Sequence, residues 1–361
     1  MSDLLFSPSR LGRIELGNRI VMSPMTRNRC VGNTPNELVA TYYRQRAGAG
    51  LIVTEGTSPS PNGLGYPRIP GIFRPDQVAG WKAVAEAVHA AGGRIFMQLM
   101  HTGRIGHPEN LPAGAEVVAP SAVAARGEIW TDTKRLQPHP TPRALSSEEV
   151  GATVAEFARA AANAVEAGLD GVEIHGANGY LVDQFLNPSA NRRDDAWGGD
   201  AERRNRFAVE VAKSCAAAIG ADRVGIRLSP YGVFNDLAPF DGLEEQYVAL
   251  ARELAAVGIV YVHLVDHSAM GAPKPAESTV TAIRDAFGGT LVVSGGYDRE
   301  RAEADLAAGR GDLVGFGRPF ISNPDLPERL RSGAPLATPD PATFYTPGTR
   351  GYVDYPALGA A

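Results

Sequence analysis

The sequence predicts an α/β fold, a single (β/α)8 TIM barrel running through all 361 residues. Two observations carry that prediction and a third sets aside its main rival. Short apolar runs recur eight times, separated by longer segments rich in Ala, Glu, Arg and Leu at helical spacing. Several of those segments close on glycine, at Gly92, Gly168, Gly220 and Gly258, where a helix C-terminus favours it. The rival is an open doubly wound sheet, which usually carries a phosphate-binding GxGxxG loop after an early strand. None follows Met25 or Thr54. Eight strands, each followed by a helix, close into a barrel.

Taken in order, residues 4–19 alternate short apolar pairs with Gly12, Gly17 and Asn18, which predicts an N-terminal hairpin over 1–18. The strand runs then fall at 19–25, 51–54, 94–99, 171–174, 224–228, 260–265, 291–293 and 313–316. The intervening helical segments include 37–47, 75–91, 147–167, 201–219, 243–257, 279–287 and 299–308. Ser147 ahead of Glu148 and Glu149 reads as an N-terminal capping signal. One connection is long, 101–145, between the third strand and its helix. A connection of that length is usually functional or mobile. Its apolar pairs at 116–119 and 128–130 predict a hairpin acting as a lid. The tail, 336–361, holds Phe344, Tyr345, Tyr352 and Tyr355, enough aromatic surface to fold back onto the barrel.

A formal charge of -5 argues against nucleic acid or an anionic membrane as the main partner. A phosphorylated small ligand remains open, because it needs only local positive charge. No apolar run approaches transmembrane length. The chain start lacks the basic-then-apolar pattern of a signal peptide. Cys30 and Cys215 are isolated, without metal-type or redox CxxC spacing. The expectation is a reduced cytoplasmic enzyme, monomer or homodimer, acting on small molecules without nucleic acid or membrane.

Chemistry in such barrels stands at the C-terminal ends of the strands. The fourth strand leads into His175, Asn178 and Tyr180, three hydrogen-bonding side chains within six residues. The first ends in Ser23-Pro24-Met25-Thr26, the second in Glu55-Gly56-Thr57, the third in Gln98-Leu99-Met100-His101 and the fifth in Arg227. The seventh ends in Ser294-Gly295-Gly296 and the eighth in Gly315-Phe316-Gly317-Arg318. Phosphate often binds at the last two loops of a barrel. There Gly295, Gly296 and Gly317 allow close backbone approach, and Arg318 offers a planar fork. Tight turns and a surface charge are the plainer alternative. Gln98 and Arg227 end otherwise apolar strands, and a buried arginine needs an acceptor or an anion. A core salt bridge is one answer. A heterocycle with carbonyl and ring-nitrogen acceptors is the other, and a phosphate with such a ring describes FMN. Thr26 would then meet the ring's carbonyl side. His175 and Asn178 would donate to one substrate oxygen. Tyr180, with an ordinary pKa near 10, would give a proton.

At these residues the sequence resembles the old yellow enzyme family of FMN-dependent ene-reductases. The resemblance runs over nearly the whole chain, through Ser23-Pro24-Met25-Thr26-Arg27, Tyr42-Tyr43-Arg44-Gln45-Arg46-Ala47 and Gln98-Leu99-Met100-His101-Thr102-Gly103-Arg104. Its longest part runs from His175-Gly176-Ala177-Asn178-Gly179-Tyr180 through Asn187-Pro188, and Gly315-Phe316-Gly317-Arg318-Pro319-Phe320 completes it. The resemblance implies tightly but non-covalently bound FMN, with NADPH or NADH as reductant. Thr26, Gly56, Gln98 and Arg227 would contact the isoalloxazine, with Pro24 and Met25 beside them. Gly295, Gly296, Gly317 and Arg318 would hold the phosphate. His175 and Asn178 would bind the activating group, Tyr180 would protonate the alpha carbon, and Tyr66, Met100 and Tyr345 would line the substrate side. The reduced ring would deliver hydride from N5 to the beta carbon of an activated alkene, in ping-pong order. Thr26 and Phe344-Tyr345 resemble the branch that includes nitrate-ester and N-ethylmaleimide reductases. Met100 departs from the tryptophan of several relatives, which implies a different, roomier wall.

The same residues bear on other functions. Main activity on nitrate esters, nitroaromatics or quinones would use the same site, as would a flavin-binding barrel without turnover. The dienoyl-CoA reductase type needs an iron–sulfur cysteine cluster and a further domain. An aldolase usually needs an inward lysine or a metal site, and no strand run has a lysine. A metal site at His101, His107 and His175 lacks an accompanying carboxylate.

Overall fold

The structure, a computed structural model, describes residues 3–359. The eight barrel strands are Ile20–Met22, Leu51–Val53, Ile95–Leu99, Gly171–Gly176, Val224–Leu228, Tyr261–Val265, Thr290–Ser294 and Leu313–Phe316. They read as near-continuous apolar runs because each is covered on both faces, by the barrel interior and by the helices outside. All pair in parallel, and the eighth closes on the first through Val314 and Ile20. The predicted barrel is therefore the observed fold.

The helices that follow these strands start and stop on local chemistry. Asn36, Ser146, Asp200 and Asp298 each accept a first-turn N–H, satisfying donors that a helix leaves free. The cap of Ser147–Glu166 is Ser146, one residue earlier than the sequence suggested. Its partner Glu149 must lie three positions on to close the reciprocal box, and it does so from Ser146. Besides the seven expected segments there are short helices at Leu181–Leu186, Pro319–Ser322 and Leu326–Ser332.

The barrel interior has two levels. Val21, Leu51, Val53, Phe96, Tyr261, Val292 and Leu313 form a lower apolar cluster, joined by Leu11 and Leu16 of the N-terminal hairpin. Above it the inward residues turn polar. Parallel register sets Glu173 beside Gln98, His175 beside Arg227, and Arg227 beside His263.

Two additions shape the mouth. The long third connection holds an antiparallel hairpin, Glu128–Thr131 with Arg135–Pro138. The tail packs back onto the start of the barrel. Arg27 donates to the Gly351 carbonyl at 2.7 Å, and Arg29 to those of Thr343 and Phe344, each at 2.7 Å. Tyr352 is buried and stacks on Tyr42 at 4.1 Å. Among the described residues no helix is long and apolar enough to cross a membrane.

Candidate active site

A cavity of about 830 Å³ opens at the C-terminal end of the barrel. Pro24, Thr26, Gln98, Met100, His175, Asn178, Tyr180 and Arg227 line it from the strand ends, with Tyr66 and Tyr345 at its sides. The structure thus brings ten of the residues singled out in the sequence to one space. Met25, Gly56, Gly295, Gly296, Gly317 and Arg318 lie outside its lining. Gly56 is buried against Met100, and a side chain there would collide with the Met100 sulfur. Gly295, Gly296 and Gly317 stand at the ends of strands seven and eight, Gly295 and Gly317 partly open to solvent, with Gly296 and Arg318 exposed. A Cβ at Gly317 would meet nothing nearer than Met25 Sδ at 3.8 Å, so the backbone there is approachable.

Arg227 is the electrostatic centre of the floor. Its guanidinium is buried and, among the described residues, donates no hydrogen bond; its Nε is enclosed without a partner. Burial lowers its pKa from the ordinary arginine value and the nearby Glu173 carboxylate opposes the shift, so it stays a cation. A cation so placed is costly unless an acceptor arrives. Glu173 is itself fully enclosed and accepts from Gln98 Nε2 at 2.8 Å and Tyr261 Oη at 3.0 Å, and it pairs with His263 Nδ1 at 2.8 Å. Burial pushes its carboxyl up, but His263, Arg227 and Gln98 outweigh that and hold it below the usual range. Because Gln98 spends its NH2 on Glu173, its carbonyl oxygen is free for a donor in the cavity.

On the facing side, burial and the charge of Arg227 press His175 well below the ordinary imidazole value, so the ring is neutral. Its Nδ1 has no partner among the described residues. The ring meets Tyr180 edge-on at 5.0 Å. Burial raises the Tyr180 pKa, and its hydroxyl lies 3.1 Å from that of Tyr66. Asn178 has φ near 61°, held by Ser229 Oγ on its N–H and Asn235 Nδ2 on its carbonyl.

Several wall residues escaped the sequence reading. The lid hairpin supplies Glu128, Ile129, Trp130 and Arg135, and Arg68 reaches Asp132 on it. Glu173 had a visible signal, a charge inside an apolar run two positions before His175 and so on the same face. His267, which contacts Asn178, had none. His101 and His107 use Nδ1 to accept backbone N–H groups of Gly103 and Glu109. Among the described residues no cluster of His, Cys, Asp or Glu could hold a metal.

Comparison with known proteins gives one answer at three levels. Residues 4–337 match the model of the NADH:flavin oxidoreductase / NADH oxidase family. Chanoclavine-I aldehyde reductase of Penicillium roqueforti is 45% identical over 97% of this chain and 95% of its own. Morphinone reductase, solved in complex with tetrahydroNAD, superposes with a TM-score of 0.94 at 45% identity, covering 99% of this chain and 98% of that one. The old yellow enzyme homologue of Zymomonas mobilis gives 0.93 at 40% identity, over 98% and 99%.

Proposed function

The chain belongs to the old yellow enzyme family of FMN-dependent NADH:flavin oxidoreductases, and from that premise we propose that it is an ene-reductase of small alkenes activated by a carbonyl or nitro group. The observation that supports this best is Arg227, a buried cation lining the cavity that donates no hydrogen bond among the described residues. FMN fits the donors and acceptors around it. Arg227 would meet the ring's acceptor edge, the free Gln98 oxygen a ring N–H, and Thr26 a ring carbonyl. Gly295, Gly296, Gly317 and Arg318 would hold the phosphate, with Pro24 and Met25 alongside and Gly56 behind Met100.

Bound FMN would supply the redox chemistry, as acceptor of hydride from NADPH or NADH and donor of hydride to the beta carbon of the alkene. The chain's own residues do the rest. His175 and Asn178 donate to the activating oxygen, stabilising the charge that develops on it. Tyr180 remains protonated through the neutral range, since burial raises its pKa, and its Oη holds the proton for the alpha carbon. Tyr66, 3.1 Å away, orients that hydroxyl. Met100 and Tyr345 bound the substrate side, and reductant and oxidant share one pocket in turn. We place the enzyme in the cytoplasm, as one barrel unit carrying its hairpin, lid and tail.

An anaerobic stopped-flow titration tests the proposal. Adding NADPH should bleach the flavin band, and adding 2-cyclohexenone should restore it. Bleaching without recovery would refute ene-reduction while keeping the flavin site. A colourless protein that FMN cannot reconstitute would refute both.

A further inference from the structure

Asn178 is held at three points, and only one decides which way its side-chain amide faces. Its backbone N–H donates to Ser229 Oγ at 3.0 Å, and its carbonyl accepts from Asn235 Nδ2 at 2.7 Å. With φ near 61°, a region only a few residue types enter readily, the backbone is fixed. The terminal amide can still turn half a revolution, exchanging oxygen for nitrogen with almost no change of shape. The third contact is between Asn178 Oδ1 and His267 Nε2, at 2.6 Å.

His267 follows the sixth strand and is 8% exposed, its ring packed edge-on against Phe234 at 4.5 Å. Asn178 lines the cavity and His267 does not, so the histidine stands behind the amide. Burial and the charge of Arg227 lower its pKa to about 4, leaving one proton shared between two ring nitrogens at neutral pH. With the proton on Nε2, the histidine takes the amide oxygen and the NH2 faces the cavity. With Nε2 bare, it takes the NH2 and the amide oxygen faces the cavity. Only the first arrangement welcomes a carbonyl or nitro oxygen; the second opposes one oxygen with another.

We propose that His267 is a positioning residue: its Nε2–H donates to Asn178 Oδ1, turns the Asn178 NH2 into the cavity, and makes that wall selective for ligands offering an acceptor oxygen. This builds on the ene-reductase reading for the nature of the ligand. Asn178 alone, on this view, is an ambivalent group whose polarity its neighbour sets.

The test is a double-mutant cycle on the flavin-loaded, oxidised protein, which binds an enone without turning it over. The quantity read is the dissociation constant of 2-cyclohexenone by calorimetry, with the flavin-to-protein ratio as a check on folding. His267→Leu should weaken binding about tenfold, the scale of one hydrogen bond. In an Asn178→Ala background the same change should have no further effect. Equal weakening in both backgrounds, or none in the parent, would overturn the proposal. A second pair guards against a poorly folded leucine variant. His267→Lys can only donate and should stay near the parent, whereas His267→Glu can only accept and should bind worst. The reverse order would also overturn it. If the cycle behaves as expected but the enone fails to reoxidise the reduced protein, His267 keeps its role and the ene-reductase reading falls.

Discussion

Tyr180 is a half-buried phenol whose hydroxyl lies 3.1 Å from that of the half-buried Tyr66, and with both pKa values raised the pair can hold a proton in the cavity but cannot easily become anionic. A donor of this kind matters only when a carbon must be protonated. Tyr180→Phe should leave flavin reduction by NADPH near the parent rate and slow enone reduction about 10²–10⁴-fold, the usual range for one general acid. Nitroalkenes should suffer less, because their reduced intermediates are more acidic. Rapid-mixing rates of the two half-reactions check this, and equal losses in both would remove Tyr180 from the role. At this scale the sequence was legible wherever polar residues ended apolar runs, as at Gln98, His175, Asn178 and Arg227. It was silent on His267, because a histidine after a strand carries no mark of which amide it will face. Glu173 lay between these cases: the charge was visible, but its partners Tyr261 and His263 come from a strand two places away.

The lid and the tail share a tie. Arg68 donates to the Asn28 carbonyl at 3.0 Å and the Tyr345 carbonyl at 3.1 Å, and it pairs with Asp132 at the tip of the lid hairpin. Arg68→Ala should therefore loosen the hairpin rather than the barrel. Hydrogen exchange over residues 128–138 should quicken several-fold while the strands keep their protection, and unchanged exchange there would refute the tie. The tail's anchor is Tyr352, whose ring is enclosed but whose hydroxyl has no partner among the described residues. Tyr352→Phe should then leave stability unchanged or raise it, by up to about 1–3 kcal/mol, since an unpaired buried hydroxyl is costly. Tyr352→Ala should cost about 3–5 kcal/mol by leaving a cavity beside Tyr42. Denaturant unfolding of the two variants distinguishes ring packing from hydrogen bonding. Both additions were foreseeable as elements, from an unusually long connection and an aromatic-rich tail. Their docking was not, since Arg27 and Arg29 look like surface charges until the carbonyls of 343–351 are laid across them.

For the molecule as a whole, the eight-fold alternation of apolar run and amphipathic segment was enough to read the barrel, because a parallel strand buried on both faces leaves a continuous apolar signature. What alternation cannot convey is the cost of the charges enclosed afterwards. Glu55 and Asp183 are both raised by burial to about 7. Their folded pKa lies above the unfolded one, so the fold holds more protons than the unfolded chain between the ordinary carboxylate range and about 7. Their contribution to stability should fall as pH rises through that window and level off above it, by up to about 1.4 kcal/mol per pH unit for each group. The buried neutral rings of His175 and His267 slope the other way, costing stability as pH drops below the ordinary imidazole range. The carboxylate part is therefore read as a difference: between pH 5 and pH 8, Asp183→Asn should lose less stability, or gain more, than the parent. A variant whose profile runs parallel to the parent's would contradict the assignment.

The arginines of the first loop have one more consequence. Arg27 bonds to carbonyls 317 and 324 positions further along the chain. A ribosome therefore releases the barrel's first strand long before the segment that neutralises its loop has been made. Until then Arg27 lacks its tail carbonyls and Arg29 keeps only that of Arg27. Cofactor loading should accordingly be a late event in the life of each polypeptide, completed only once the tail has emerged and closed over Arg27 and Arg29.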